Sequence, residues 1–219
     1  MSVADIFDEV DEDLRADRAK QLLQQYGGLL IAAAVLVVVL AGGWRAWQWY
    51  DAKHNAVVAE QYLAAMHIAD TQKGAARQEA AADFAAIAQT APSGYRNLAR
   101  LRAAALKADS GDLPGAALLW DAVAADTSAD PLLRDLANLQ WALHEIDGGD
   151  AASVEARLTP LSVATNPFHA LANEGLALLD LHRGRPDSAR DKFKALSQDP
   201  TAPDGVRRRA EGLLGRIGS

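Results

Sequence analysis

The 219-residue sequence contains no cysteine. Disulfides, thiol catalysis and cysteine-ligated zinc are therefore excluded, and the chain suits a reducing or an oxidising compartment equally. Aromatic residues make up only 6% of the chain, while half of it is apolar and alanine dominates that half. Such a composition favours helices in close small-residue contact over an all-β protein. The net charge is −7 and no basic stripe runs through the chain, which argues against nucleic acid as a partner. Catalytic signatures are missing too. His54, His67, His144, His169 and His182 never fall at a His-x-x-x-His spacing. There is no G-x-S-x-G, no phosphate loop and no glycine-rich dinucleotide motif. His144-Glu145 and Asp180-Leu181-His182 read as isolated surface pairs on helices. The expectation is a protein that is not an enzyme and that carries no cofactor or metal.

Charge is also missing from one continuous stretch, Gln21 to Trp44. Its centre, Gly27 to Gly43, reads GGLLIAAAVLVVVLAGG and lies between Tyr26 and Trp44. At 1.5 Å per residue it spans roughly 27 Å, close to the thickness of a bilayer core. Tyr26 at one end and Trp44, Trp47, Trp49 and Tyr50 at the other suit the headgroup layer. A buried core helix would usually show a polar face, and this segment has none. A cleaved signal peptide is suggested by Val39-Leu40-Ala41, but the preceding segment is long and acidic rather than short and basic. The sequence therefore predicts a membrane anchor over 26–49. Arg15, Arg18 and Lys20 precede it, against Arg45 and Lys53 after it. That margin predicts a cytoplasmic N-terminus and a translocated C-terminal domain.

Residues 1–25 carry seven acids and three bases, with Ile6, Phe7, Val10 and Leu14 at helical spacing. A docking helix for a cytosolic partner and a solvated helical tail both fit, and the tail is preferred because so short a helix is marginal in water. The acid spacing lacks the glycine and distal glutamate of a calcium loop.

From residue 50 to 219 the chain repeats. Pro131, Pro167 and Pro203 are 36 residues apart and Pro92 precedes them by 39. Glycine turns fall between them, at Gly74, Gly111-Asp112, Gly148-Gly149-Asp150 and Gly184-Arg185. After each turn comes one pattern: Ala80, Phe84, Ile87; Ala116, Trp120, Val123; Val154, Leu158, Leu161; Ala189, Phe193, Leu196. Offsets of four and three place the three residues on one helical face. The small residue admits a paired helix, and the large one fills the space between layers. Glycine ends the first helix of a pair in a left-handed cap, and proline begins the next. Helices are predicted from Asp51 to Thr71 (continuing the anchor helix), then over 75–90, 94–109, 113–126, 131–147, 151–165, 167–183 and 187–198. A last helix over 204–217 caps the stack, with Arg207, Arg208 and Arg209 on a solvated face.

This pattern resembles the tetratricopeptide repeat, most closely in Ala80-Phe84-Ile87-Pro92. The first helices depart from it: they lack the family's Trp and Gly-Tyr positions, near which Leu101, Ala104, Trp141, Ala142, Leu176 and Ala177 fall. The resemblance implies an all-α solenoid behind a single transmembrane helix. It also implies a protein-binding surface along the first helices, with Tyr62, His67, Tyr95, Arg102, Asn138 and Asn173 as candidate contacts. The order of segments is similar to the YfgM-like inner-membrane family, described as an ancillary subunit of the SecYEG translocon. The likeness rests on Asp5-Ile6-Phe7-Asp8-Glu9-Val10-Asp11-Glu12-Asp13-Leu14-Arg15 and on Trp44-Arg45-Ala46-Trp47. It implies a periplasmic repeat domain that meets translocon subunits, a membrane-anchored prolyl-isomerase-like chaperone and exported clients. The alternative is a repeat scaffold for envelope-complex or cytochrome c assembly without translocon contact.

Overall fold

The computed structural model describes residues 3–217, with side chains from residue 28 onward except at 30, 34 and 54. The expectations for Ile6, Phe7, Val10, Leu14 and Tyr26 lie outside those side chains. Every regular element among the described residues is helical. Helix α1 (Val3–Thr71) is 69 residues long. The chain divides into two compact units, Met1–Ala56 and Val57–Ser219.

In the first unit, Leu29, Ile31, Val35 to Leu40, Trp44, Trp47, Trp49 and Tyr50 are all exposed. Val38 is 70% and Trp47 73% exposed, which rules out a core role in the chain's own fold. One stretch among the described residues, within Ile31–Thr71, is long and apolar enough to cross a membrane.

The second unit contains the end of α1 and then α2 (Ala75–Thr90), α3 (Ser93–Asp109), α4 (Leu113–Ala124), α5 (Pro131–Glu145), α6 (Ala151–Leu158), α7 (His169–His182), α8 (Pro186–Gln198) and α9 (Asp204–Ile217). Each helix packs chiefly on its neighbours in sequence. Every residue of the repeated small–large–apolar pattern is buried, from Ala80, Phe84 and Ile87 through to Ala189, Phe193 and Leu196. Trp120, Phe84 and Phe193 are the largest fully buried side chains. Each fills the gap between helix pairs, and small residues on the facing helices admit them: Ala99 and Ala103 beside Phe84, Ala104 and Ala137 beside Trp120, Ala170 and Ala177 beside Phe193.

Two of the four expected turns are built alike. Gly111 has φ +87° and Gly184 φ +68°. At the first, the Asp112 N–H donates to the Lys107 carbonyl at 2.9 Å and the Gly111 N–H to Ala108 at 3.0 Å. At the second, Arg185 donates to Asp180 at 2.8 Å and Gly184 to Leu181 at 3.0 Å. This is the left-handed Schellman closure, open to glycine because it has no Cβ. Asp112 then turns to the next helix, and its Oδ1 accepts from the Gly115 N–H at 3.0 Å.

Several details differ from the sequence expectation. Gly148 and Gly149 are not left-handed. There the Gly149 N–H donates to Glu145 at 2.8 Å, and the Asp150 carboxylate caps α6 through Ser153. Helix α6 does not reach 165. Pro160 has no N–H to continue it, so it tightens into a 3-10 turn, Thr159–Ser162, that still buries Leu161. Helix α7 starts at His169 rather than at Pro167, because Asn166 organises the turn by accepting from the Phe168 N–H at 2.8 Å. Gly175, unremarked in the sequence, is where α7 comes closest to its neighbours: a Cβ there would lie 3.0 Å from Leu143 and Leu158.

Candidate protein-binding face

The first helices of successive pairs lie side by side, α3 against α5, α5 against α7 and α7 against α9. Two hollows open along them. The first is about 260 Å³ and is lined by Tyr62, Leu98, Leu101, Arg102, Leu133 and Leu136, with Trp120 beneath and Gln140 at one side. The second is about 450 Å³ and is lined by Leu143, Ile146, Leu178 and Leu181, with Asp147 and His182 at its edge. Leu136, Gln140 and Leu143 follow one another at helical spacing on α5, so a single stripe joins the hollows.

The structure brings three of the six candidate contacts together. The Tyr62 ring meets buried Phe84 edge-on at 5.2 Å and lies 5.9 Å from Tyr95. Arg102 is paired with Asp70. The other three stand elsewhere. His67 is exposed, and its carbonyl accepts the Thr71 hydroxyl at 2.6 Å. Asn138 donates to the Arg134 carbonyl at 3.1 Å and accepts from Arg157 at 3.4 Å. Asn173 donates to the carbonyls of Ser162 and His169 at 3.1 and 2.9 Å. Neither asparagine lines a hollow. In the first unit, exposed Trp49 carries the Lys53 ammonium 5.3 Å from its ring centroid, which turns a positive charge toward the aromatic end of the apolar stretch.

Polar staples behind this face hold it in shape. Arg157 stacks on Trp141 at 3.8 Å and pairs with Asp121 at 2.6 Å, joining α4, α5 and α6. Asn97 is fully buried and donates to Asp126 at 3.0 Å. The Ser128 hydroxyl and the Asn97 amide hold the Asp126 carboxyl down at about 2. Asp180 is not the surface residue its sequence context suggested. It is buried between α7 and α8, where it accepts from Ser188, Lys192 and Arg185. Burial pushes its carboxyl up, but the Lys192 and Ser188 hydrogen bonds together outweigh it and hold it below the usual carboxylate range. Arg209 stays on the solvated face expected for it, its side chain 55% exposed, and from there forks onto buried Glu174, with both nitrogen–oxygen distances 2.6 Å. Among the described residues, no cluster of histidine, aspartate and glutamate could hold a metal ion.

A stack of antiparallel helix pairs with an open face along its first helices defines an α-helical repeat protein, an architecture used for binding other proteins. A family model described as a tetratricopeptide repeat-like domain matches residues 20–201, and the chain belongs to that family. The match takes in the apolar stretch of α1 together with the repeats. No curated protein and no solved structure gives a significant match. Domains of this family are in general interaction scaffolds rather than catalysts.

Proposed function

We propose that this protein is a single-pass inner-membrane scaffold, with residues 1–25 cytoplasmic, 26–49 in the bilayer and the repeat domain 50–219 in the periplasm. It meets newly exported proteins beside the translocon and works with a membrane-anchored prolyl-isomerase-like chaperone. The observation that carries this reading is an exposed apolar stretch, in one family match with a repeat domain whose first helices leave an apolar hollow at Tyr62, Leu101 and Leu136 open. The resemblance in segment order supplies the translocon. Tyr62, Tyr95 and Arg102 form the centre of the contact surface, and Trp44, Trp47 and Trp49 sit in the outer headgroup layer.

Crosslinking in intact membranes followed by mass spectrometry tests the assignment. Translocon subunits should be recovered with the full-length protein. Recovery of envelope-complex or cytochrome c assembly factors without any translocon subunit would select the alternative scaffold.

A further inference from the structure

We infer that the outer side of the α1–α2 pair seats an α-helix of a partner protein, one that carries arginine or lysine beside an apolar stripe. The inference rests on the reading of this domain as a protein-binding scaffold. It adds a separate contact surface, which shares no lining residue with the two hollows described above.

The two ends of the helix stack are finished differently. A stack of helical repeats needs a polar outer face on its terminal layer. At one end α9 provides it, with Arg208, Glu211 and Arg216 exposed. At the other end Val57 is 51% and Leu63 63% exposed. A hollow of about 450 Å³ opens there between α1 and α2, lined chiefly by Ala64, Ala65, Ile68, Ala86 and Ile87. The stack's own layers show what form fits such a surface. Helices α3, α5, α7 and α9 each pack on the helix before them in sequence. The chain before Val57 continues within α1 and supplies no such helix. Exposed Ala64 and Ala86 leave room for another backbone to come close, as Ala99 and Ala103 do for Phe84.

Charge identifies the occupant. Each boundary between successive layers of the stack is crossed by an acid and an arginine 28 to 36 residues apart: Asp70 with Arg102, Asp121 with Arg157, Glu155 with Arg183 and Glu174 with Arg209. The outer side of α1–α2 has the acids without the arginine. Asp83 is the one charged residue lining the hollow. Glu79 stands one turn before it on α2, and Glu60 adjoins Gln61 on α1. All three are exposed, and among the described residues none has a hydrogen-bond or ion-pair partner. Lys73 lies in the α1–α2 turn and does not line the hollow. A cationic helix would complete this boundary as the others are completed. Its apolar stripe would supply the buried area, and its charge the choice of partner. The same acids select against two other occupants. A symmetric contact with a second copy would set Glu79 and Asp83 against their own counterparts. Anionic lipid headgroups would be repelled.

The test uses the full-length protein in phosphatidylcholine nanodiscs and fluorescence anisotropy, with empty nanodiscs as the reference. The probe is a labelled helical peptide with an alanine–leucine stripe flanked by arginines. A second peptide has glutamates in place of the arginines, and a third keeps the arginines but has a central proline. The arginine helix should bind, and the other two should bind roughly tenfold or more weakly. Glu79→Arg with Asp83→Arg should reverse the preference, losing the arginine helix and gaining the glutamate helix. That gain also shows that the variant is folded. If the variant does not fold, a photoreactive leucine in the arginine helix should still crosslink the unaltered protein within 57–90. Equal binding of the arginine and glutamate helices, equal or tighter binding of the proline peptide, crosslinks confined to α3 through α9, or no binding of any peptide each overturns the inference. So does a dimer in analytical ultracentrifugation that Ala86→Glu dissolves, which would give the seat to a second copy. None of these outcomes touches the recovery of translocon subunits, which alone decides the wider assignment.

Discussion

Trp120 sits 1% exposed against Ala104, Ala116 and Ala137, with the His144 ring 4.7 Å away. Nothing on those alanines can expand to fill the space it occupies. Trp120→Ala should lower stability by about 3–5 kcal/mol in denaturant titration, and Phe193→Ala should do the same in the last repeat. A loss below about 1 kcal/mol for either would contradict their role between layers. Charged residues give a second test. The Asp126 pKa is depressed in the folded state to about 2, against roughly 3.9 in an unfolded chain. A depressed carboxyl contributes stability that is present above its unfolded pKa and lost as pH falls through the folded one. Asp126→Asn should therefore be less stable than the parent at neutral pH. The gap should narrow below about pH 4 and close near pH 2. A gap that stays constant across that range would show that the carboxylate charge plays no part. Arg209 supplies a third. Removing it strands buried Glu174, so Arg209→Ala should cost about 1–3 kcal/mol, and adding Glu174→Gln should recover much of the loss.

At the scale of elements, turn chemistry separates glycines that look alike in the sequence. Gly111 has φ +87°, whereas Gly148 does not lie in the left-handed region and has open space around its Cβ position. Gly111→Ala should cost about 1 kcal/mol or more, and Gly148→Ala close to nothing, by thermal or chemical melting. The second helices of each pair were legible in the sequence because their buried side is written as a fixed offset, Ala116-Trp120-Val123 and its counterparts. Helix ends were legible where a left-handed glycine or a proline set them, and not where Asn166 or Pro160 acted through a local hydrogen bond or its absence. The face of the first helices was harder to read. Successive helical residues differ by about 100° in direction, so an error of a single position moves a side chain from the groove to the back. Asn138 and Asn173 show this, lying against Arg157 and Ser162 rather than over a hollow. The staples were illegible for a different reason. Arg209 and Glu174 are 35 residues apart, and only the packing of α9 on α7 brings them together.

At the scale of the whole molecule, the decisive question is what the bilayer does with the apolar stretch. Its side chains are exposed from Ile31 to Leu40, apart from Ala34, which lies outside the described side chains. In water that surface would drive aggregation; in lipid it costs nothing. Three cationic residues precede the stretch and two follow it closely. Because the positive-inside preference counts lysine and arginine and largely ignores acids, the seven acids of the N-terminal segment do not cancel the bias. Protease added to spheroplasts should therefore digest the repeat domain, and the protein extracted from membranes should retain its first residues by intact mass. Loss of everything up to Ala41 would instead identify a cleaved signal. The margin is narrow enough to be tested directly. Arg15→Gln with Arg18→Gln leaves one cationic residue before the stretch against two after it, and should yield a population whose repeat domain is protected in spheroplasts. Restoring the margin by adding Arg45→Gln and Lys53→Gln should return the domain to the protease. Full protection of the repeat domain in the unaltered protein would reverse the orientation and place its groove, and its partners, in the cytoplasm.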